Sequence, residues 1–115
     1  MNSGQQRIRI AEFCGWIHVP QAGNPNCWKH KDGRRVRTYH DLPDYLNDLN
    51  AIRQAEEKFD DILGEEFIQC LAGMMGCDGI GIWSYKDAFR VAHATAAQRS
   101  EALLKVTGAW EEEEE

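Results

Sequence analysis

The residue pattern predicts an α+β fold, a small antiparallel sheet with helices packed on it. Three observations carry this. Apolar residues recur at helical spacing within Asp41–Phe59, Asp61–Met75 and Thr95–Trp110. Trp16–Val19 alternates its side chains between two faces, as a strand does. Asp32-Gly33, a dipeptide tolerant of positive φ, separates two short runs of strand-like composition.

Taken in order, Gln5–Gly15 places Ile10, Ala11 and Cys14 at helical spacing, with Ile8 nearby, and predicts a short first helix ending at Gly15. The strand Trp16–Val19 follows, with Trp16 and His18 on one face and Ile17 and Val19 on the other. Pro20 and the polar loop Gln21–Asn26 end it. Trp28–Asp32 and Arg34–Tyr39 then form a hairpin about Asp32-Gly33. Its lysines and arginines suit an edge strand, where charge discourages unwanted pairing.

Asp41–Phe59 predicts the strongest helix, beginning near Pro43, with Tyr45, Leu49, Ile52 and Phe59 on one stripe. Asp61–Met75 predicts another, built on Leu63, Phe67, Cys70, Leu71 and Met74 and stopped by Gly76 and Gly79. Ile80–Trp83 and the alternating Phe89, Val91 and His93 suggest a second hairpin. Thr95 opens the last helix with Gln98 three residues on, a capping box, and Gly108 stands where a helix stop belongs.

The chain of 115 residues carries a net charge of −6, distributed unevenly. Residues 1–40 hold seven Lys/Arg against Glu12 and Asp32, a balance of +5, whereas residues 41–115 have a balance of −11. Residues 1–110 read as a single α+β domain and residues 111–115 as an acidic tail, solvated and disordered through self-repulsion. The start of the chain lacks the apolar core of a signal peptide, and no window is long enough to span a membrane. These features predict a cytoplasmic protein with reduced thiols.

Two runs resemble a known family. DLPDYLNDLNAIRQAEEKF, at 41–59, resembles the helix start of the phage ABA sandwich domain family through Pro43, Tyr45, Asp48, Leu49 and Ala51. ATAAQRSEALLKVTGAW, at 94–110, is similar to that family's C-terminal helix through Ala94, Thr95, Ala96, Arg99, Ala102 and Leu104. The resemblance covers roughly a third of the chain. It implies an alpha-beta-alpha sandwich-like arrangement and a small bacteriophage accessory protein in the host bacterial cytoplasm. No reaction comes with it.

Cys14, His18, Cys27 and His30 supply a zinc ligand set, but in an interleaved order that departs from a zinc-finger knuckle, so core and surface roles are favoured and no metal or cofactor is expected. Cys70 and Cys77 read as core filling. The glycines of GCDGIGIW lack the strand-then-helix context of a dinucleotide fingerprint, and no nucleophile elbow or phosphate loop is present. The expectation is a non-enzymatic protein.

The basic hairpin interleaves cations with aromatic rings, a mixture that grips phosphate and stacks bases. Arg34, Arg35 and Arg37 are the candidate phosphate ligands, Trp16 and Trp28 the stacking surfaces, and Asn47 with Asp48 the readers of ribose or base. For Asp48 a helix cap is the favoured explanation over ligand contact, and for Tyr45 core packing with its hydroxyl free to reach a polar partner. The leading expectation is a counter-defence sponge that sequesters a small anionic, nucleotide-derived immune signal, with a homo-oligomer compatible with that role. The alternative is an inhibitor that binds a host defence protein directly, CRISPR proteins included. Nucleic acid is disfavoured by the acidic remainder of the chain.

Overall fold

The computed structural model describes residues 1–19, 27–76 and 85–112. The loop read at 21–26, the strand read at 80–83, Gly79, Cys77 and the last three glutamates lie outside the described residues. The architecture is α+β. Helix α1 (Ser3–Phe13) leads into strand β1 (Trp16–His18); β2 (Trp28–His30) and β3 (Arg35–Val36) follow, and then α2 (Leu49–Glu56), α3 (Asp61–Met74), α4 (Tyr85–Ala92) and α5 (Ala96–Val106). The sheet is antiparallel in the order β1-β2-β3, with Ile17 opposite Lys29 and Lys29 opposite Arg35.

Helix α1 begins earlier than its apolar spacing alone suggests because Asn2 and Gln5 form a capping box, each side chain accepting the other's backbone N–H at 2.8 and 3.0 Å. It stops at Gly15, whose φ of +97° suits glycine alone and where an added Cβ would lie 2.7 Å from Cε of Lys31. The chain therefore turns directly into β1.

On the sheet, Trp16 and Trp28 are buried against the helical body, while Ile17, Lys29 and Arg35 face outward and are exposed. The Asp32-Gly33 turn forms as the sequence predicts, with the Gly33 N–H donating to His30 O and Gly33 at φ +101°. β3 is shorter than expected. After Val36 the chain bends into a single 3-10 turn, Tyr39–Asp41, which Arg7 clamps to α1 by donating to the carbonyls of His40, Leu42 and Pro43.

The helix expected from Pro43 instead starts at Leu49. Asp48 is its cap, with Oδ1 accepting from the N–H groups of Asn50 (3.0 Å) and Ala51 (3.4 Å). The segment after Pro43 makes one isolated turn, closed by Asp48 N–H on Asp44 O at 2.8 Å, before the chain extends at Asp48 itself. Leu49, placed on the apolar stripe, is 36% exposed.

Phe89–His93, which reads as a hairpin strand, is instead the last turn of helix α4 with His93 in the turn that follows it. The alternation of Phe89, Val91 and His93 has a helical explanation. Phe89 and His93 are four residues apart, so their rings stack on the outer face with centroids 4.0 Å apart, while Val91 and Ala94, three apart, are buried.

Helix α5 is the hub of the core, touching α1, α2 and α3. Its Ala102, Leu103 and Leu104 are fully buried. Thr95 and Gln98 form the expected capping box. At the other end Ala109 N–H bonds Leu104 O and Gly108 N–H bonds Lys105 O, with Gly108 at φ +78°, so two free carbonyls are satisfied and the chain reverses. Within this core Arg99 forms an ion pair with Glu56 at 2.7 Å and donates to Val91 O, tying α5 to α2 and α4. No helix among the described residues is long and apolar enough to cross a membrane.

Candidate functional site

Twin Trp-x-His triplets, Trp16-Ile17-His18 and Trp28-Lys29-His30, meet in antiparallel register about the Ile17–Lys29 pair. Each tryptophan therefore faces the other strand's histidine. His18 stacks on Trp28, with ring centroids 4.8 Å apart and 26° between planes; Trp16 and His30 meet edge-on at 5.1 Å.

The two pairs have different surroundings. Nε2 of His30 lies 2.9 Å from Cys14 O, and its Nδ1 accepts from the Asp32 N–H at 3.1 Å, so this ring ties the hairpin to the end of α1. His18 and Trp28 instead line an open cavity of about 410 Å³ between α1 and the sheet. Gln5, Ile8, Arg9 and Glu12 form one wall, as residues three and four apart on a helix must. Tyr39 and Glu111 complete it. A smaller hollow of about 160 Å³ also has Tyr39 in its lining, with residues that include Arg7, Asp44 and Asn47.

Among the described residues, Arg9 is the one arginine or lysine lining the larger cavity. It sits between two carboxylates, 3.6 Å from Glu12 and 3.3 Å from Glu111. The site is thus aromatic on its floor and mixed in charge at its rim, a composition suited to a planar ligand with few charges.

Of the residues the sequence put forward, Trp28 lies in this cavity. Trp16 is buried, with the Arg34 guanidinium 5.2 Å from its ring centroid. Arg34 is held by Asp32, Nε to Oδ2 at 2.6 Å. The Arg34 N–H donating to Asp32, together with the guanidinium, holds the Asp32 carboxyl below its usual range. Arg35 projects from the outer face of the sheet, opposite Lys29, and Arg37 is exposed beyond β3. None of the three arginines lines either of these two cavities.

Tyr45 is buried, with its hydroxyl beside the Cys14 thiol and Trp16. Burial, reinforced by Cys14, pushes its phenol far above the ordinary range, and burial likewise raises the Cys14 thiol. Asn47 donates to both carboxylate oxygens of Asp44, and Asp48 caps α2. Among the described residues no three His, Cys, Asp or Glu side chains come together to hold a metal ion.

Ile8, Arg9, Glu12 and Glu111 were not singled out by the sequence as site residues, because a cavity wall contributed by opposite ends of the chain leaves no local motif. For the floor, Trp28 was put forward as a stacking surface, and the Trp-x-His repeated at 16–18 and 28–30 is the signal that also marks His18. Comparison of the chain with protein-family models, curated proteins and solved structures found no match.

Proposed function

We propose that this protein works by non-covalent binding and that its ligand, a small nucleotide-derived molecule, occupies the cavity between α1 and the sheet. The observation that carries this reading is the His18–Trp28 stack on the cavity floor, opposite Arg9. Aromatic surfaces accept a base by stacking, and a guanidinium accepts a phosphate. The volume is near the lower end for small-molecule sites and suits a ligand of mononucleotide size. Joined to the resemblance described above, the reading is a phage-encoded, non-enzymatic sponge that removes a bacterial immune signal from the host cytoplasm.

A second reading has its own support. The outer sheet face presents Ile17, 59% exposed, beside Lys29 and Arg35. An apolar and cationic face of this kind suits direct contact with an acidic host defence protein.

A heat scan of ligand-free protein against cyclic di- and trinucleotides, ADP-ribose isomers, NAD and mononucleotides distinguishes the two. A ligand present at 100 times its Kd raises stability by about 2.7 kcal/mol. A selective upward shift in Tm is expected for the sponge; no shift with any compound moves the assignment to a protein partner.

A further inference from the structure

The cation of the cavity already has an occupant. Glu12 is a neighbour of Arg9 on α1, but Glu111 arrives from the other end of the chain and places its Oε1 3.3 Å from Nη2 of Arg9. The backbone delivers it there. The ammonium group of Met1 donates to the Glu111 carbonyl at 3.0 Å, and Trp110, just before it, packs against the core and lies under the Lys105 ammonium. The turn at Gly108 fixes where this segment leaves α5.

We propose that Glu111 is an internal, displaceable occupant of the anion seat on Arg9, and that a phosphate-bearing ligand binds by replacing its carboxylate. This rests on the cavity being the binding site. A phosphate carries more charge than a carboxylate and offers further oxygens to the guanidinium fork, so it competes well for Arg9. The internal pair is weak enough to yield. Both side chains are about half exposed, 48% for Arg9 and 59% for Glu111, and an exposed pair shifts an equilibrium by about fivefold at most.

Glu111 thereby sets a threshold. A lone anion gains little by exchanging with the resident carboxylate, whereas a ligand that also stacks on the aromatic floor gains from both contacts. The device selects for a phosphate joined to a planar group, and its effect weakens as salt screens the pair.

The test is calorimetric titration of the full chain, Glu111→Gln, Arg9→Gln and the double variant with AMP and with adenosine, which share the base and differ in the phosphate. The readout is the ratio of AMP affinity to adenosine affinity. Glu111→Gln is expected to raise that ratio about two- to fivefold, and Arg9→Gln to lower it and to cancel the gain in the double variant. If both compounds bind but Glu111→Gln leaves the ratio unchanged or lowers it, the internal occupant is refuted and the cavity assignment stands. If neither compound binds any form at millimolar concentration, the cavity assignment falls and this inference with it.

Discussion

His18 faces Trp28 across β1 and β2 with its ring stacked on the indole, and two register pairs along, Trp16 faces His30 edge-on. The two pairs differ at the histidine, since the His30 side chain is 13% exposed and His18 is open to solvent. Trp28 is 6% exposed and belongs to the core, whereas His18 is exposed and lies over it at the cavity floor. Replacing His18 with alanine is therefore expected to cost about 1 kcal/mol of stability through the lost ring contact. Trp28→Ala opens the core and should cost about 3–5 kcal/mol. Urea denaturation of the two variants measures the contrast.

The Glu56–Arg99 pair is largely buried, with the Arg99 side chain 9% and that of Glu56 17% exposed, and Glu56 Oε2 and Arg99 Nε have no hydrogen-bond partner among the described residues. Removing one partner strands the other, so Arg99→Met alone should destabilise by about 3–5 kcal/mol. Replacing both, Arg99→Met with Glu56→Leu, should recover most of that loss, because neither charge then needs to be buried. A double-mutant cycle by chemical denaturation checks this.

The same glutamate makes stability depend on pH. Burial raises the Glu56 carboxyl above its ordinary value of 4.5 despite the attraction of Arg99. The folded protein then holds a proton that the unfolded chain has released. The Glu56 contribution is full below about pH 4.5 and is lost as pH rises through the raised folded value. Glu56→Gln should flatten this part of the curve of stability against pH.

Tyr45 and Cys14 share one buried contact and should be inert together. Tyrosinate absorbance from Tyr45 is expected only as the protein unfolds, since its folded phenol lies well above the ordinary 10.0. The stability it contributes is complete below pH 10.0 and declines above it, and Tyr45→Phe should remove that decline. In thiol titration of the native protein, Cys14 should react more slowly than the half-buried Cys27 and Cys70.

Asp48 separates a capping role from a ligand role. Asp48→Ala is expected to cost about 1 kcal/mol through its lost bonds to Asn50 and Ala51. Nucleotide affinity measured below the melting transition should not change.

What was legible in the sequence follows from how local each signal is. Thr95 with Gln98, Asp32-Gly33 and Gly108 specify caps and turns through neighbours within four residues, and all three form as read. Pro43 misled because a proline suits an isolated turn as well as a helix start, and only the cap at Asp48 decides between them. Phe89–His93 misled because positions two apart fit a strand, while the stacked pair four apart fits a helix. Arg99 falls on the apolar stripe of α5 for a reason that pattern does not carry, a partner 43 residues earlier. The cavity was least legible, since Arg9 and Glu111 are 102 residues apart and meet only once α1 and α5 are packed.

Whether the proposed ligand enters the cavity under α1 is read most directly from an NMR titration of isotope-labelled protein with AMP. Shifts concentrated at Gln5, Ile8, His18, Tyr39 and the Trp28 indole are expected. Shifts concentrated at Lys29, Arg35 and Arg37 on the outer hairpin, or none at saturating AMP, would contradict this placement.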